Sequence, residues 1–256
     1  MDSPAASASQ INLIRAADVC PTVKRFLPSE FNVDYSQPDS ILPYPEKKFH
    51  IEAREELSKT KSLEYMFVYT GMFMDYFFMP KLHTVLRPLY FFVDVQAGMA
   101  ILPGDGEGKM SMTWTEDAAR LVAWSLDLEE EGQWGRGKVM ITAVETITLN
   151  ELVAMVEKHS GKRLQVQYQP VEELLRRNPV EDLPGNVQIS KDFPQRFPGG
   201  LEQVRALVAD LEASVALGAY DFGRLEEGGY VDLVKLFEGR EPKPRGLGDL
   251  LEEAWR

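Results

Sequence analysis

The sequence predicts an α/β fold in which parallel strands are joined by crossover helices. Residues 10–31 have the pattern of an amphipathic helix followed by a buried strand, and the same order recurs up to Gly71. Such alternation is typical of a parallel sheet, because the connection between two parallel strands must cross back over the sheet. With 256 residues, 44% of them hydrophobic, the chain can bury a sizeable core in one domain or in two interleaved lobes.

The first helix and strand are defined by apolar residues and a proline. Apolar side chains between Ile11 and Ala17 give the helix one hydrophobic face, and Pro21 ends it before a strand predicted over residues 24–28. Residues 1–9, MDSPAASAS, form a short polar tract that is predicted to be disordered.

A loop, a charged helix and a second strand follow. Residues 36–45 contain several prolines and are predicted as a loop. A helix is predicted from about residue 45 to residue 61, and residues 64–70 have the aromatic and apolar composition of a strand that ends at Gly71.

The later elements carry recognisable end signals. Thr115 is predicted to cap a helix over residues 116–126, Thr148 and Glu151 have capping-box spacing, and Gly161 is expected to end that helix. The remaining predictions are a strand at 164–168, helices at 171–177 and from 201 to about 218, a last helical turn or two at 249–256, and connectors at 194–200 and 239–248.

Charge and composition exclude several classes of protein. A formal charge of −12 argues against a nucleic-acid scaffold, because phosphate binding depends on clustered Lys and Arg side chains. No apolar run reaches the length of a membrane span, and there is no signal-peptide pattern, so a cytoplasmic protein is expected. Cys20 is the only cysteine, which fits a reducing compartment, and the histidines lack metal-ligand spacing, so no metal site is predicted.

Four segments, taken in order, resemble the NmrA-like and isoflavone reductase-like family of atypical short-chain dehydrogenase/reductases. They are RFLPSEF at 25–31, LEYMFVYTGMFMDYF at 63–77, LPGDGEGKMSMTWTEDAARLVAWSLDL at 102–128 and GKVMITAVETITLNELVAMVEKHSGK at 137–162. The resemblance covers roughly residues 10–162 and is looser beyond them. It implies a Rossmann-like parallel sheet and an NAD(P)-dependent oxidoreductase.

The sequence departs from the family pattern at its start. Family members open with a strand and a Gly-rich turn that holds the cofactor pyrophosphate, and no counterpart of either is found here. The predicted Rossmann-like sheet is therefore partial, through either a natural truncation or an incomplete gene model. The implied division is a nucleotide-binding unit at 10–162 and a smaller mixed α/β substrate lobe at 163–256, interleaved with 72–112.

The predicted chemistry concentrates at Tyr44 to Lys48. Tyr44 and Lys48 have YxxxK spacing, which on a helix places both side chains on one face. An ammonium beside a phenol lowers the tyrosine pKa and lets it exchange a proton with a carbonyl or an alcohol. Isoflavone reductase-like proteins commonly keep the lysine and replace the tyrosine, so the resemblance favours Lys48 over Tyr44 as the catalytic residue, with Lys47 as the alternative.

The resemblance also implies a cofactor and its contacts. NADP(H) is expected, with NAD(H) as the alternative. Ser29 and Glu30 follow the predicted strand at its carboxyl end, where ligands bind in open α/β sheets. Ser29, Glu30, Phe31 and Lys48 are therefore the predicted cofactor contacts.

A substrate pocket is predicted from the segment after the second strand. Residues 72–102 are rich in Met and aromatic side chains, which suit an aromatic ligand and are equally compatible with an ordinary core. The family resemblance places the loop after VYTG beside the substrate. The predicted pocket residues are Gly71, Met72, Phe73, Tyr76 and His83.

Three functions remain open at the level of sequence. The first is an NAD(P)H-dependent reductase of a small aromatic or polyketide-like carbonyl or enone, serving secondary metabolism. The second is a non-catalytic, redox-sensing regulator of the NmrA-like type that acts by protein contact, and the third is an inactive remnant. A sheet edge exposed by missing strands would favour a protein partner or a homo-oligomer.

Overall fold

The structure, a computed structural model, describes residues 3–128, 134–226 and 228–256. The helices are α1 (Pro4–Val19), α2 (Lys47–Lys59), α3 (Asp75–Phe78), α4 (Thr115–Ser125), α5 (Leu149–Ser160), α6 (Val171–Leu175), α7 (Pro184–Asp192), α8 (Gly200–Ala216), α9 (Leu233–Leu236) and α10 (Leu247–Ala254). The strands are β1 (Arg25–Phe26), β2 (Glu64–Tyr69), β3 (Met72–Phe73), β4 (Val93–Asp94), β5 (Met99–Pro103), β6 (Lys109–Thr113), β7 (Lys138–Ile141), β8 (Glu145–Thr148), β9 (Gln165–Gln169) and β10 (Tyr230–Asp232).

The main sheet is parallel, which confirms the predicted α/β class. Its order is β1-β2-β7-β10, and every pair in it runs in the same direction. Strand β2 is buried along all but its first residue, as expected for a central strand covered on both faces. The carboxyl ends of these strands therefore meet at one edge of the sheet.

Strand β1 lies at one side of this sheet. No other described strand pairs with its outer side. The Arg25 guanidinium donates to the carbonyls of Leu126 and Leu128 at 2.7 and 3.0 Å, which ties the strand to the end of α4. A protein partner or a second copy of the chain at this side stays a prediction.

Two smaller sheets carry the rest of the fold. Strands β3, β6 and β8 form one, and β4, β5 and β9 form the other. Because β5 pairs with β9, the segment 72–112 joins the C-terminal part of the chain. The same C-terminal part also supplies β10 to the main sheet, so its residues contribute to two sheets.

The N-terminal segment differs from its prediction. Helix α1 begins at Pro4, so residues 4–9 of the tract predicted as disordered are helical, while Met1 and Asp2 lie outside the described residues. The Ser3 hydroxyl accepts a hydrogen bond from the Ala6 amide at 3.3 Å. A serine N-cap followed by proline in the first turn is a helix start, and alanines continue it well.

The end signals of the later helices are confirmed in one case and wrong in another. Thr148 and Glu151 form the expected capping box, and Gly161 ends α5 with a left-handed φ of 69°. Thr115 is instead the first residue of α4. Its hydroxyl and its amide both donate to Asp75, at 2.7 and 3.0 Å, so a distant carboxylate satisfies the start of this helix.

Candidate functional site

A cavity of about 290 Å³ opens at the carboxyl ends of β1 and β2. Ser29 follows β1, Gly71 follows β2, and helix α8 contributes Leu207, Leu211 and Ser214 to the wall. Ligands of open α/β sheets bind at this edge, and the volume is near the lower end of about 300–1,000 Å³ found for small-molecule sites. This cavity is the candidate functional site.

Four of the five predicted pocket residues line the cavity. Gly71, Met72, Phe73 and Tyr76 are all in its wall. His83 is exposed in the irregular segment after α3 and is not part of the wall.

Tyr76 presents a protonated phenol to the cavity. Its ring packs edge-on against Phe91, with 5.0 Å between ring centres and an interplanar angle of 85°. Burial raises the pKa of the Tyr76 phenol, and the Arg196 charge opposes that rise. At neutral pH this hydroxyl is therefore a hydrogen-bond donor.

The predicted cofactor contacts divide into two groups. Ser29 and Phe31 are exposed and line the cavity. The Ser29 amide donates to Gln10 Oε1 at 2.8 Å, so α1 holds the loop that follows β1. Glu30 is fully buried and is absent from the wall; its predicted contact with cofactor finds no support in this position.

Glu30 belongs to a buried ion pair outside the cavity wall. Arg54 Nη2 lies 2.5 Å from Glu30 Oε2, and Arg54 Nη1 lies 2.9 Å from Asp34 Oδ1. The same guanidinium reaches the Tyr69 hydroxyl at 3.2 Å and stacks 4.3 Å from the Phe67 ring centre. Burial raises the pKa of the Glu30 carboxyl and Arg54 opposes that rise, so the pair fixes the loop after β1 against α2 and β2.

Of the predicted Tyr44 and Lys48 pair, Tyr44 alone lines the cavity. Helix α2 begins at Lys47, so Tyr44 precedes the helix; it lines the cavity. Lys48 is exposed, with its Nζ 4.9 Å from the Phe49 ring centre, and it is not part of the wall. Lys47 Nζ donates to the carbonyls of Gln37 and Leu42 at 2.7 and 3.0 Å, which holds the preceding loop.

His50 is the titratable side chain that α2 places in the cavity wall. It is 2% exposed and its ring stacks on Tyr35, with 3.6 Å between ring centres and 9° between planes. His50, Ala53 and Leu57 are buried together, at the i, i+3, i+7 spacing of one helix face. That spacing was the signal in the sequence that pointed His50 inward.

A polar group from the loop after β1 connects two tyrosines of the wall. Asn32 Nδ2 donates to the Tyr35 hydroxyl at 3.2 Å, and the Asn32 side chain also hydrogen-bonds Tyr220. Burial raises the pKa of Tyr220. Sequence reasoning missed Asn32, Tyr35, Arg196 and Tyr220, because no local pattern links the loop at 32–35 to positions 196 and 220.

Neither a metal-ligand cluster nor a membrane-spanning helix occurs in the described part of the chain. No group of three or more His, Cys, Asp or Glu side chains there is arranged to hold a metal ion. In the same part of the chain, no helix combines the length and the apolar content that a bilayer crossing requires.

Comparison with known proteins gives a consistent family. The model of the NmrA-like family matches residues 4–241. The oxidoreductase swnN of Metarhizium robertsii is 31% identical over 208 residues, which cover 73% of this chain and 60% of that protein. The phenylcoumaran benzylic ether reductase PT1 of Pinus taeda is 29% identical over 190 residues, which cover 71% of this chain and 56% of that protein. The chain thus spans about three fifths of the length of these curated relatives.

A solved structure shares the fold. The leucoanthocyanidin reductase of Vitis vinifera in complex with NADPH matches with a TM-score of 0.63 at 18% identity, covering 97% of this chain and 72% of that one.

Proposed function

The chain belongs to the NmrA-like family, and on that premise we propose that its cavity is the active site of an NADPH-dependent reductase of a small aromatic carbonyl or enone. One observation carries the proposal. Ser29 and Phe31, from the carboxyl end of β1, meet His50 and Tyr44 in the wall of a single cavity. The names of similar proteins support it, since they include a reductase and a reductase bound to NADPH. A role in secondary metabolism rests on the family resemblance.

The described residues fit the nicotinamide end of the cofactor. A cavity of about 290 Å³ suits one or two small rings rather than a whole dinucleotide. Ser29 and Phe31 are exposed where the sheet ends, so they are the residues that would hold the nicotinamide, Ser29 through a hydrogen bond and Phe31 through an apolar contact. NADPH is proposed over NADH from the similar proteins.

His50 is proposed as the residue that supplies the proton. When bound, NADPH supplies a hydride to the carbon that is reduced, and the substrate oxygen or α-carbon must then take up a proton. Imidazole is the side chain best suited to hold a proton near neutral pH. Its ring is fixed by the Tyr35 stack and faces the cavity, whereas the Tyr76 phenol can donate a hydrogen bond to the substrate oxygen.

The first experiment titrates NADPH into the purified chain, follows nicotinamide fluorescence, and runs a thermal melt alongside. Saturable binding with a raised melting temperature is expected. A panel of aromatic enones and aldehydes is then scored by NADPH consumption. A cooperatively folded chain that does not bind NADPH would overturn the reductase and favour the non-catalytic regulator.

Three variants locate the proton donor. We expect His50→Gln to lower the rate of NADPH consumption by about 100- to 10,000-fold with NADPH affinity retained, and His159→Gln, a histidine outside the wall, to leave the rate unchanged. Lys48→Ala tests the assignment made from the sequence. A large loss in Lys48→Ala with full activity in His50→Gln would return the role to Lys48.

A further inference from the structure

The cavity wall carries positive charge within a strongly acidic chain. The sequence contains 40 Asp and Glu residues against 28 Lys and Arg residues. Even so, no carboxylate and no lysine lines the cavity as described, and Arg196 is the arginine in its wall. A cleft lined by one sign of charge concentrates ligands of the opposite sign.

Arg196 has no acidic partner among the described residues. Its Nη1 donates to the Pro88 carbonyl at 3.2 Å, and its guanidinium carbon lies 4.9 Å from the Phe197 ring centre. Burial lowers the pKa of Arg196, and the nearby charge of Arg87 lowers it further. A guanidinium has five N–H donors, and a partly desolvated cation without a counter-ion is costly. The donors left over are therefore available to a ligand.

The surroundings of Arg196 suit a flat apolar body. Tyr76 and Phe91 meet edge to face, and Leu207 and Leu211 extend the same wall from α8. Aromatic and aliphatic side chains around one charged group give a ligand site both affinity and orientation.

We infer that the site takes an aromatic carboxylate and that Arg196 binds its carboxylate group. This inference rests on the proposed function and narrows its substrate class. The planar guanidinium fork matches a carboxylate with two parallel hydrogen bonds. Arg196 would hold the acid end of the substrate while the ring packs against Tyr76 and Phe91, so it determines specificity.

The test uses a matched pair of probes. The affinities of 4-hydroxycinnamate and of its neutral methyl ester for the purified chain are measured by isothermal titration calorimetry at pH 7.5. The acid is expected to bind at least about 10-fold more tightly, because hydrogen bonds to charged groups contribute about 10- to 150-fold in affinity. Equal affinities, tighter binding of the ester, or no binding of either probe would overturn the inference.

Variants assign the preference to Arg196. Arg196→Gln keeps a donor for the Pro88 carbonyl and loses the charge. It should weaken binding of the acid by about 10-fold or more and leave binding of the ester unchanged. Arg196→Lys keeps the charge but lacks the planar guanidinium, so its affinity for the acid should lie between those of Arg196→Gln and the unmodified protein. Arg176→Gln removes an exposed charge on the surface and should change neither affinity. Equal weakening of both probes in Arg196→Gln would mean that Arg196 only supports the wall, and would overturn the inference.

NADPH binding, measured in parallel, separates this inference from the proposed function. If the chain binds NADPH but prefers the ester, the anion site is refuted and the proposed reductase is not. A chain that prefers the acid through Arg196 and does not bind NADPH keeps the anion site and loses the reductase.

Discussion

At the scale of single residues, Glu212 is a buried acid outside the cavity wall. It is 2% exposed on α8 and accepts a hydrogen bond from Gln169 Nε2 at 2.8 Å and another from the Phe92 amide. Burial raises the pKa of Glu212 to about 8, and the charge of Asp182 acts in the same direction. The folded protein thus keeps this carboxyl protonated at neutral pH.

Glu212 should make stability depend on pH. In the unfolded chain the carboxyl ionises near its ordinary pKa of 4.5, but in the folded chain only near 8. Between these values the unfolded chain binds fewer protons, so the free energy of unfolding falls as pH rises. Between pH 5 and 8, the stability of Glu212→Gln relative to the unmodified protein should rise by up to about 1.4 kcal/mol per pH unit. Urea unfolding measures this difference. For the exposed control Glu172→Gln, the curve of stability against pH should run parallel to that of the unmodified protein. A parallel curve for Glu212→Gln would contradict the raised pKa of Glu212.

The different positions of Lys48 and His50 are also set at this scale. Two positions along a helix correspond to a rotation of about 200°, so the two side chains leave α2 in nearly opposite directions. Lys48 is exposed and His50 is buried. The YxxxK spacing would bring Tyr44 and Lys48 together only if the helix already included Tyr44, and α2 begins at Lys47.

At the scale of elements, the turn between β2 and β3 depends on Gly71. Its φ of +66° is a left-handed conformation, and a Cβ there would lie 2.0 Å from the Ser111 carbonyl oxygen of β6. Its amide also donates to the Asn32 carbonyl at 2.9 Å. Close approach of these elements, and with it one wall of the cavity, therefore requires glycine.

Gly71→Ala should lower the stability of the fold far more than the same substitution at Gly161. Gly161 has a similar φ of +69°, and no neighbouring atom lies within 4 Å of the position that a Cβ would take. Gly161→Ala should therefore lower the free energy of unfolding by only about 1–2 kcal/mol, through backbone strain. Gly71→Ala adds a backbone clash and should lose at least about twice as much. Equilibrium urea unfolding of both variants measures the difference, and equal losses would show that the backbone of Ser111 yields without cost.

At the scale of the whole molecule, one hydrophobic core connects the ends of the described chain. Ile14 of α1 and Leu250 of α10 are both fully buried in the same cluster, together with residues of β2, β5 and β6. The nucleotide-binding unit and the substrate lobe suggested by the sequence therefore share their packing.

The shared core predicts a single unfolding transition. Ile14→Ala and Leu250→Ala should each lower the free energy of unfolding by about 2–5 kcal/mol, in a transition that far-ultraviolet circular dichroism and tryptophan fluorescence report at the same urea concentration. Leu13 is 60% exposed in α1, so Leu13→Ala should change the free energy of unfolding by no more than about 0.5 kcal/mol. Two separated transitions would mean two independent units.

The sequence by itself determined the family, the α/β class, the parallel sheet and the positions of several elements. Strand β2, helix α5 with its capping box, and helix α8 lie within a residue or two of their predicted bounds. These features are local, because apolar periodicity and end signals act within a few residues. Helix α7 was not predicted, since only three of its side chains are buried and its apolar pattern is weak.

Only the tertiary structure decided which side chains line the cavity. Ser29, His50, Arg196 and Tyr220 come from distant parts of the chain and meet in one cavity, through parallel pairing and the packing of α8. Likewise, the Glu30–Arg54 pair holds the Glu30 side chain away from the cavity wall. Periodicity identifies the buried face of a helix, but packing between distant elements determines whether that face meets a cavity, a core or an ion pair.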